Sequence, residues 1–146
     1  MGSLVLPASG SVYLDANGFI YSIERIDPYR ILLDTLWQTV SNRQITVVTS
    51  ELTLLEVLVK PLKVGDATTA TLFRTVLLHT PEVRMLPITQ PVLEEAAKLR
   101  ATPGLRTPDA IHMATTLLHS CALMVTNDNV FRRMPEVPVT VLNELL

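Results

Sequence analysis

The segment Val12–Tyr21 reads VYLDANGFIY and contains the residue on which the fold assignment depends. A short apolar run leads directly into Asp15, and Asn17 and a second apolar run follow at once. A carboxylate at the end of a buried strand costs several kcal/mol unless something compensates its charge. Asp15 is therefore either the N-cap of a helix or a ligand of a cation, and the rest of the sequence has to distinguish the two.

Outward from this segment, short β-like runs alternate with longer segments of helical periodicity. The predicted strands are residues 11–15, 45–50, 83–88, 122–126 and 138–142. The predicted helices are residues 17–24, 28–40, 51–60, 66–78, 90–100 and 107–120. Pro61 is expected to end the third helix, and Thr107 to cap the last one ahead of Pro108. The alternation predicts an α/β fold, with a mostly parallel central sheet between two layers of helices.

Length and composition indicate one globular domain that spans residues 1–146, with residues 1–11 as a short N-terminal extension. The hydrophobic fraction of 48% predicts a large core, and the single cysteine, Cys121, excludes an internal disulfide and favours the cytoplasm. No apolar run is long enough to predict a membrane span. The formal net charge of −2 does not by itself indicate a nucleic-acid binder.

Four carboxylates stand where a parallel sheet of this kind forms its binding site, beyond the carboxyl ends of the strands. Asp15 follows the first strand, and Asp128 follows the fourth. Glu56 lies in the helix after the second strand, and Asp109 lies in the first turn of the helix before the fourth strand. All four are surrounded in sequence by apolar residues.

Each carboxylate also has a structural interpretation. Asp15, Asp109 and Asp128 occupy positions that suit helix caps or first turns. Glu56 is spaced to pair with Lys60 one helical turn later. The grouping of four such residues at one end of one sheet favours a shared function.

Electrostatic repulsion indicates what that function requires. Two carboxylates about 5 Å apart repel by roughly 3 kcal/mol at an effective dielectric constant of about 20. A cluster of four must therefore bind a proton or a cation. Ligation by oxygen alone suits Mg²⁺ or Mn²⁺ better than Zn²⁺, and such ions activate water for attack on phosphorus.

The segments VYLDANGFIY, TSELTLLEVLVKP, LRTPDAIHMATTL and VTNDNVF resemble, in this order and spacing, the four motifs of PIN-domain ribonucleases. They most resemble VapC-type toxins of toxin–antitoxin pairs, and the likeness extends from Val12 to Val141. It implies that Asp15, Glu56, Asp109 and Asp128 form an acidic metal-binding quartet. It also implies that the polar side chains of Asn17 and Thr126 support the metal site.

The same resemblance implies cleavage of single-stranded RNA with Mg²⁺ or Mn²⁺, homodimerisation, and inhibition by a cognate antitoxin protein. In this family a basic residue often separates the Thr and the Asp of the fourth motif, where this chain has Asn127. The alternative function is that of a catalytically idle PIN domain, which acts as an RNA- or protein-binding assembly module.

Several further residues have two interpretations. Arg132 and Arg133 follow the last acidic motif and are candidate contacts for substrate phosphates, or they lie on a solvated helix face. Ser50 is a candidate phosphate contact or a helix cap. His112 lies three residues after Asp109, on nearly the same helix face, and either orients a ligand or is a buried structural histidine.

An apolar surface is expected on the first two predicted helices. The mean hydropathy of +0.34 is high for a chain of this size and suggests an apolar surface that a partner or a second copy covers. An isologous homodimer is expected to use part of the surface formed by Phe19, Ile20, Ile23, Tyr29, Leu32, Leu33, Leu36 and Trp37.

Overall fold

The computed structural model describes residues 2–101 and 104–146, so Met1 of the predicted N-terminal extension lies outside the described residues. The strands are β1 (Ser11–Leu14), β2 (Thr46–Ser50), β3 (Val83–Leu86), β4 (Leu123–Thr126) and β5 (Val139–Val141). The α-helices are α1 (Ala16–Ile23), α2 (Tyr29–Ser41), α3 (Glu51–Val64), α4 (Ala67–His79), α5 (Gln90–Ala101) and α6 (Thr107–Leu118). Two 3₁₀ helices complete the fold, Asn129–Arg133 and Leu142–Leu145.

The five strands form one sheet in the order β3-β2-β1-β4-β5, and every neighbouring pair is parallel. The chain adds β2 and β3 on one side of β1 and then returns to add β4 and β5 on the other side. The strand order therefore reverses between β1 and β4, and the carboxyl ends of these two strands border a crevice. The predicted α/β sandwich with a parallel sheet is confirmed.

Each face of the sheet carries its own apolar core, because successive side chains of a strand point to opposite faces. Val12 and Leu14 of β1 pack on one face with apolar side chains of α1 to α4. Tyr13 packs on the other face with Met124 and apolar side chains of α5 and α6. These three residues of β1 are fully buried, so the strand that leads to Asp15 is packed on both faces.

Helix α3 continues through Pro61 to Val64, so the prediction that Pro61 ends this helix is wrong. Pro61 lies one turn before the end, where its missing N–H removes a single helical hydrogen bond. The helix ends at Gly65, whose φ of 75° is the left-handed conformation that favours glycine.

The N-cap of α6 is Arg106, so the prediction that Thr107 caps this helix is wrong by one residue. Thr107 is the first helical residue, and its hydroxyl accepts a hydrogen bond from Arg100 Nη1 at 2.6 Å. The backbone of Arg106 is extended, and its side chain contacts Asp109 in the first turn of the helix that it begins.

The apolar residues expected to form a surface on α1 and α2 are divided between core and surface. Phe19, Leu33 and Leu36 are completely buried and belong to the core. Against this core pack the partly buried side chains of Ile20, Ile23, Tyr29 and Trp37. The homodimer itself stays a prediction. Exposed apolar side chains lie on α2, where Ile31 is 46% exposed, and on α3, where Leu55 is 61% and Leu62 is 58% exposed.

The N-terminal segment runs alongside the C-terminal one. Leu4 is buried, and the backbone N–H of Gly2 donates to the carbonyl of Leu145 at 2.5 Å. In the described part of the chain, no helix has the length and apolar character needed to cross a membrane.

Gly18 allows α1 to lie close to β1, and we expect Gly18→Ala to destabilise the fold. A Cβ at this position would lie 2.1 Å from Leu14 Cδ1. Overpacking of this kind costs about 1–3 kcal/mol, whereas helix propensity alone would favour alanine over glycine by about 0.5–1 kcal/mol. Urea unfolding measures the difference, and a stabilised variant would contradict the close approach of α1 to β1.

Candidate active site

A cavity of about 150 Å³ opens at the carboxyl edge of the sheet, where the strand order reverses. It brings the four predicted carboxylates together with residues of α1, α3, α6 and the 3₁₀ helix Asn129–Arg133. The lining residues are Asp15, Ala16, Asn17, Glu56, Arg106, Asp109, His112, Asp128 and Phe131.

Asp15 is buried between β1 and α1 and is only partly satisfied. It occupies the N-cap position of α1 but makes no capping hydrogen bond, so capping does not explain its burial. Its Oδ2 accepts a hydrogen bond from Thr126 Oγ1 at 2.5 Å, whereas its Oδ1 is buried without a hydrogen-bond partner. Burial raises the pKa of Asp15 above its ordinary value, against the opposing effects of Thr126, of His112 and of the nearby backbone N–H of Gly18, which does not complete a capping hydrogen bond.

Thr126 connects the first acidic motif to the fourth. Its hydroxyl donates to Asp15 and accepts the backbone N–H of Asp128 at 3.1 Å. Asp128 also caps the following 3₁₀ helix, because its Oδ1 accepts the N–H of Val130 at 3.0 Å. The capping interpretation is therefore correct for Asp128, whose carboxylate both caps a helix and lines the cavity.

Asp109 reaches the cavity from the first turn of α6 and is 7% exposed. Its neighbour in space is Arg106, whose Nε lies 3.4 Å from Asp109 Oδ2. The Arg106 side chain is 78% exposed, so this contact is a weak one at the mouth of the cavity. Arg106 is the only cationic lysine or arginine that lines the cavity in the described part of the chain.

Glu56 pairs with a histidine rather than with Lys60. His112 Nε2 lies 2.6 Å from Glu56 Oε1, and this contact joins α6 to α3 across the edge of the sheet. The expected ion pair with Lys60 is absent from the described residues, where His112 is the ion-pair partner of Glu56. The structural interpretation of Glu56 as a helix-surface ion pair is therefore wrong.

The second nitrogen of His112 is also engaged. His112 Nδ1 lies 2.6 Å from the hydroxyl oxygen of Tyr13, and both side chains are buried. Burial raises the pKa of Tyr13 well above its usual value, and the charge of Asp15 adds to the effect. Tyr13 therefore keeps its proton, and a chain of two hydrogen bonds runs from the core through His112 to Glu56.

The donor set suits a hard divalent cation. All four carboxylates offer oxygen, the donor type that Mg²⁺ and Mn²⁺ prefer. The unpartnered Oδ1 of Asp15 is a buried acceptor that such a cation would satisfy. Over residues 2–101 and 104–146, no group of three or more His, Cys, Asp or Glu side chains is arranged to hold a metal ion. In this structure Glu56 contacts His112, and Asp109 contacts Arg106.

Of the remaining predicted residues, one lines the cavity and the others make structural contacts. Asn17 is exposed and lines the cavity. Ser50 is fully buried and caps α3 by accepting the N–H of Leu52 at 3.1 Å. Arg132 is paired with Glu144, and it also donates to the carbonyl of Val139 at 3.2 Å.

Arg133 and Asn127 have structural contacts of their own. The Arg133 side chain lies against Gly104, where a Cβ would collide with its guanidinium. Asn127 fastens the C-terminal 3₁₀ helix, because its Oδ1 accepts the N–H of Asn143 at 2.8 Å. Its Nδ2 donates to the hydroxyl of Tyr21 at 3.1 Å. The side chain next to Asp128 in sequence is thus used for packing.

A comparison with protein families matches the PIN domain over residues 12–137. The chain therefore belongs to the PIN domain family, and the resemblance of its four motifs to that family is confirmed. None of the curated proteins matches this sequence closely enough to count as a relative.

Solved structures of toxin–antitoxin proteins share the fold. VapBC2 from Rickettsia felis, solved with a DNA fragment from its promoter, has a TM-score of 0.68 and 18% identity, over 90% of this chain and 98% of the other. VapC20 from Mycobacterium tuberculosis, a toxin that cleaves the sarcin–ricin loop, has a TM-score of 0.70 and 17% identity, over 87% and 98%. FitAcB from Neisseria gonorrhoeae has a TM-score of 0.68 and 20% identity, over 92% and 99%.

Sequence reasoning did not identify two residues of this region. Tyr13 looked like one apolar residue of a buried strand, and only its spacing of two from Asp15 indicates that it faces the same side of the sheet. Arg106 precedes Asp109 by three residues, a spacing at which side chains meet on a helix. Both signals were present in the sequence, but neither is specific without the fold.

We expect Asp15→Asn to leave the free energy of unfolding of the metal-free protein unchanged at neutral pH, or to raise it by about 1 kcal/mol. Because burial raises the pKa of Asp15, the folded protein disfavours the ionised form. That penalty is complete above the raised pKa and disappears as the pH falls below the unfolded value of about 3.9. Urea unfolding at neutral and strongly acid pH measures the difference.

Asp66→Asn is the matched control. Hydrogen bonds from Thr69 lower the pKa of Asp66, so its ionised form stabilises the folded protein. This contribution is present above the unfolded pKa and is lost in acid, which is the opposite dependence to that of Asp15. If Asp15→Asn destabilised the protein as a lost cap does, Asp15 would be a structural residue.

Proposed function

We propose that this protein is a divalent-metal-dependent endoribonuclease that cleaves single-stranded RNA and is the toxin of a type II toxin–antitoxin pair. The observation that carries the proposal is the single cavity lined by Asp15, Glu56, Asp109 and Asp128, in which Asp15 Oδ1 is a buried acceptor without a partner. Membership of the PIN domain family and the likeness to toxin–antitoxin structures support it.

Asp15, Glu56, Asp109 and Asp128 would hold Mg²⁺ or Mn²⁺. When bound, the metal lowers the pKa of a water molecule and offsets negative charge on the scissile phosphate. Thr126 holds Asp15 and the backbone of Asp128 in a fixed relation, so that the first and fourth acids face the same space. Asn17, at the exposed edge of the cavity, supports the metal site as a polar neighbour.

Water is the nucleophile in this proposal. In the described part of the chain no serine or cysteine lines the cavity. Both ring nitrogens of His112 are hydrogen-bonded, to Tyr13 and to Glu56, so its imidazole is not free to activate a nucleophile. The carboxylates are the groups left to orient a water molecule and to receive its proton.

Arg106 is the cation best placed to meet a substrate phosphate. Its side chain is exposed at the mouth of the cavity, next to Asp109. Arg132, proposed from the sequence for the same role, is paired with Glu144, and Asn127 is used for packing. Arg106 would therefore take the part of the basic residue that the fourth motif lacks, while Arg133 and Ser50 remain secondary candidates.

The partners follow from the toxin assignment. The solved relatives include complexes of toxin with antitoxin, and this chain would likewise bind a cognate antitoxin protein. We expect the activity to be cytoplasmic, as an RNA substrate requires, and the single unpaired cysteine is compatible with a reducing compartment. The homodimer predicted from the high hydropathy belongs to the same assignment.

Purified, antitoxin-free protein should cut single-stranded RNA internally with Mg²⁺ or Mn²⁺. The products should carry a 5′-phosphate and a 3′-hydroxyl, because water attacks the phosphorus and the ribose 2′-hydroxyl takes no part. EDTA should stop the reaction. Ca²⁺ should bind without supporting turnover, since its ligand distances are longer and its geometry looser. End-group analysis of the cleaved RNA measures the outcome.

Products with 2′,3′-cyclic phosphates, or cleavage that persists in EDTA, would refute the assignment. Asp15→Asn is the negative control, because it should lose both Mn²⁺ affinity and cleavage. A wild-type protein that binds RNA or a protein partner, but neither binds Mn²⁺ nor cleaves, would instead support the idle assembly module.

Arg106→Gln should weaken the binding of RNA more than the chemical step. Loss of one phosphate contact should raise KM about tenfold and leave Mn²⁺ affinity within about twofold of wild type, because Arg106 touches Asp109 only weakly. Arg132→Gln is the matched control and should leave KM unchanged. Equal effects of the two substitutions would remove Arg106 from the substrate site.

Light scattering at tens of micromolar should show a dimer of this chain. Exposed apolar side chains of α3, among them Leu55, Val59 and Leu62, are part of the apolar surface that the fold leaves for a partner. A monomer at this concentration would contradict homodimerisation in the absence of antitoxin, and a dimer that persists in Leu55→Glu would place the interface elsewhere.

A further inference from the structure

Three side chains from three elements form one hydrogen-bonded chain that ends at the cavity. Tyr13 of β1 contacts His112 Nδ1, and His112 Nε2 contacts Glu56 Oε1 on α3, each at 2.6 Å. Tyr13 is 0% and His112 is 4% exposed, whereas Glu56 reaches the cavity. One end of this relay is buried in the core, and its open end is a carboxylate of the proposed metal site.

The direction of each hydrogen bond follows from the groups involved. An ionised Glu56 can only accept, so Nε2 of His112 must carry a hydrogen. A neutral imidazole has one N–H, so Nδ1 is an acceptor and the hydroxyl of Tyr13 must donate to it. Tyr13 thereby selects the tautomer that presents an N–H to Glu56.

We propose that Tyr13 and His112 are positioning residues that hold the Glu56 carboxylate in place for a divalent cation. This proposal rests on the proposed function, because Glu56 needs a fixed orientation only if it binds a cation. His112 contacts Oε1 and thereby fixes the orientation of the whole carboxylate. Tyr13 lies outside the cavity lining and His112 forms part of it, and both act on the cation through Glu56.

Core packing alone does not explain this arrangement. An apolar side chain of similar size would fill the position of His112 without the cost of burying two polar nitrogens. Both nitrogens of His112 are hydrogen-bonded, one to Tyr13 and the other to Glu56. The ring of Tyr13 also meets that of His112 edge-on, with centroids 5.8 Å apart, so the imidazole plane is fixed as well as its tautomer.

Amide substitutions of His112 separate positioning from packing. In His112→Gln the terminal amide can take the place of Nε2 and donate to Glu56, whereas in His112→Asn the shorter amide stays near Tyr13. Tyr13→Phe removes only the hydroxyl. Tyr29→Phe is the matched control, since it removes an exposed tyrosine hydroxyl that bonds Asn143 and makes no contact with His112 or Glu56.

The first measurement is Mn²⁺ binding by isothermal titration calorimetry, with the metal alone. Tyr13→Phe and His112→Asn should lower the affinity about tenfold or more, as the loss of partners that orient a metal ligand does. His112→Gln should stay within about threefold of wild type, and Tyr29→Phe should be unchanged. The ribonuclease kcat should follow the same order with KM nearly constant. The proposal would be overturned if His112→Gln and His112→Asn lost Mn²⁺ affinity equally, and if these losses simply followed the fall in melting temperature of each variant.

The second measurement is nitrogen-15 NMR of the metal-free protein, which reads the tautomer without any activity. The His112 ring should show a protonated Nε2 and an unprotonated Nδ1 in wild type, and a mixture of tautomers in Tyr13→Phe. A protonated Nδ1 in wild type would overturn the relay. A wild-type protein with this tautomer that fails to bind Mn²⁺ would refute the proposed function and the positioning role, but would leave the relay itself established.

Discussion

The structure depends on one unsatisfied carboxylate at the point where the sheet reverses its strand order. β1 is buried on both faces, and Asp15 follows it at the crevice between β1 and β4. Thr126 donates a hydrogen bond to one carboxylate oxygen of Asp15, and the other oxygen has no partner. A protein keeps such a costly group when something outside the chain completes it. The other acids are arranged around Asp15 from α3, α6 and the start of a 3₁₀ helix.

Much of this arrangement could be predicted from the sequence because parallel sheets impose it. The alternation of strands and helices predicted the fold, and the positions of Asp15 and Asp128 after strands predicted that they would meet. Element ends were less predictable, since Pro61 is accommodated in the last turn of α3 and Thr107 is engaged by Arg100. Local propensity predicts where a helix tends to stop, but packing decides where it does.

Side-chain partners were the least predictable part of the site. Glu56 had an obvious partner in Lys60 at helical spacing, yet its contact is His112, which is 56 residues away in sequence. Likewise, the apolar residues of α1 and α2 looked like excess surface, although Phe19, Leu33 and Leu36 are buried in the core on one face of the sheet. Hydropathy measures how much apolar surface a chain has, whereas only the tertiary structure shows how much of it remains exposed.

The position of Trp37 makes it an optical reporter of one layer of the molecule. It is the only tryptophan of the chain; its ring lies 5.9 Å from Phe19, and its Nε1 donates to Ser22 at 2.8 Å. Its fluorescence therefore follows the packing of α2 on α1, the helix that Asp15 begins. An emission change on addition of a metal would signal movement of that helix, since the indole itself lies outside the cavity lining.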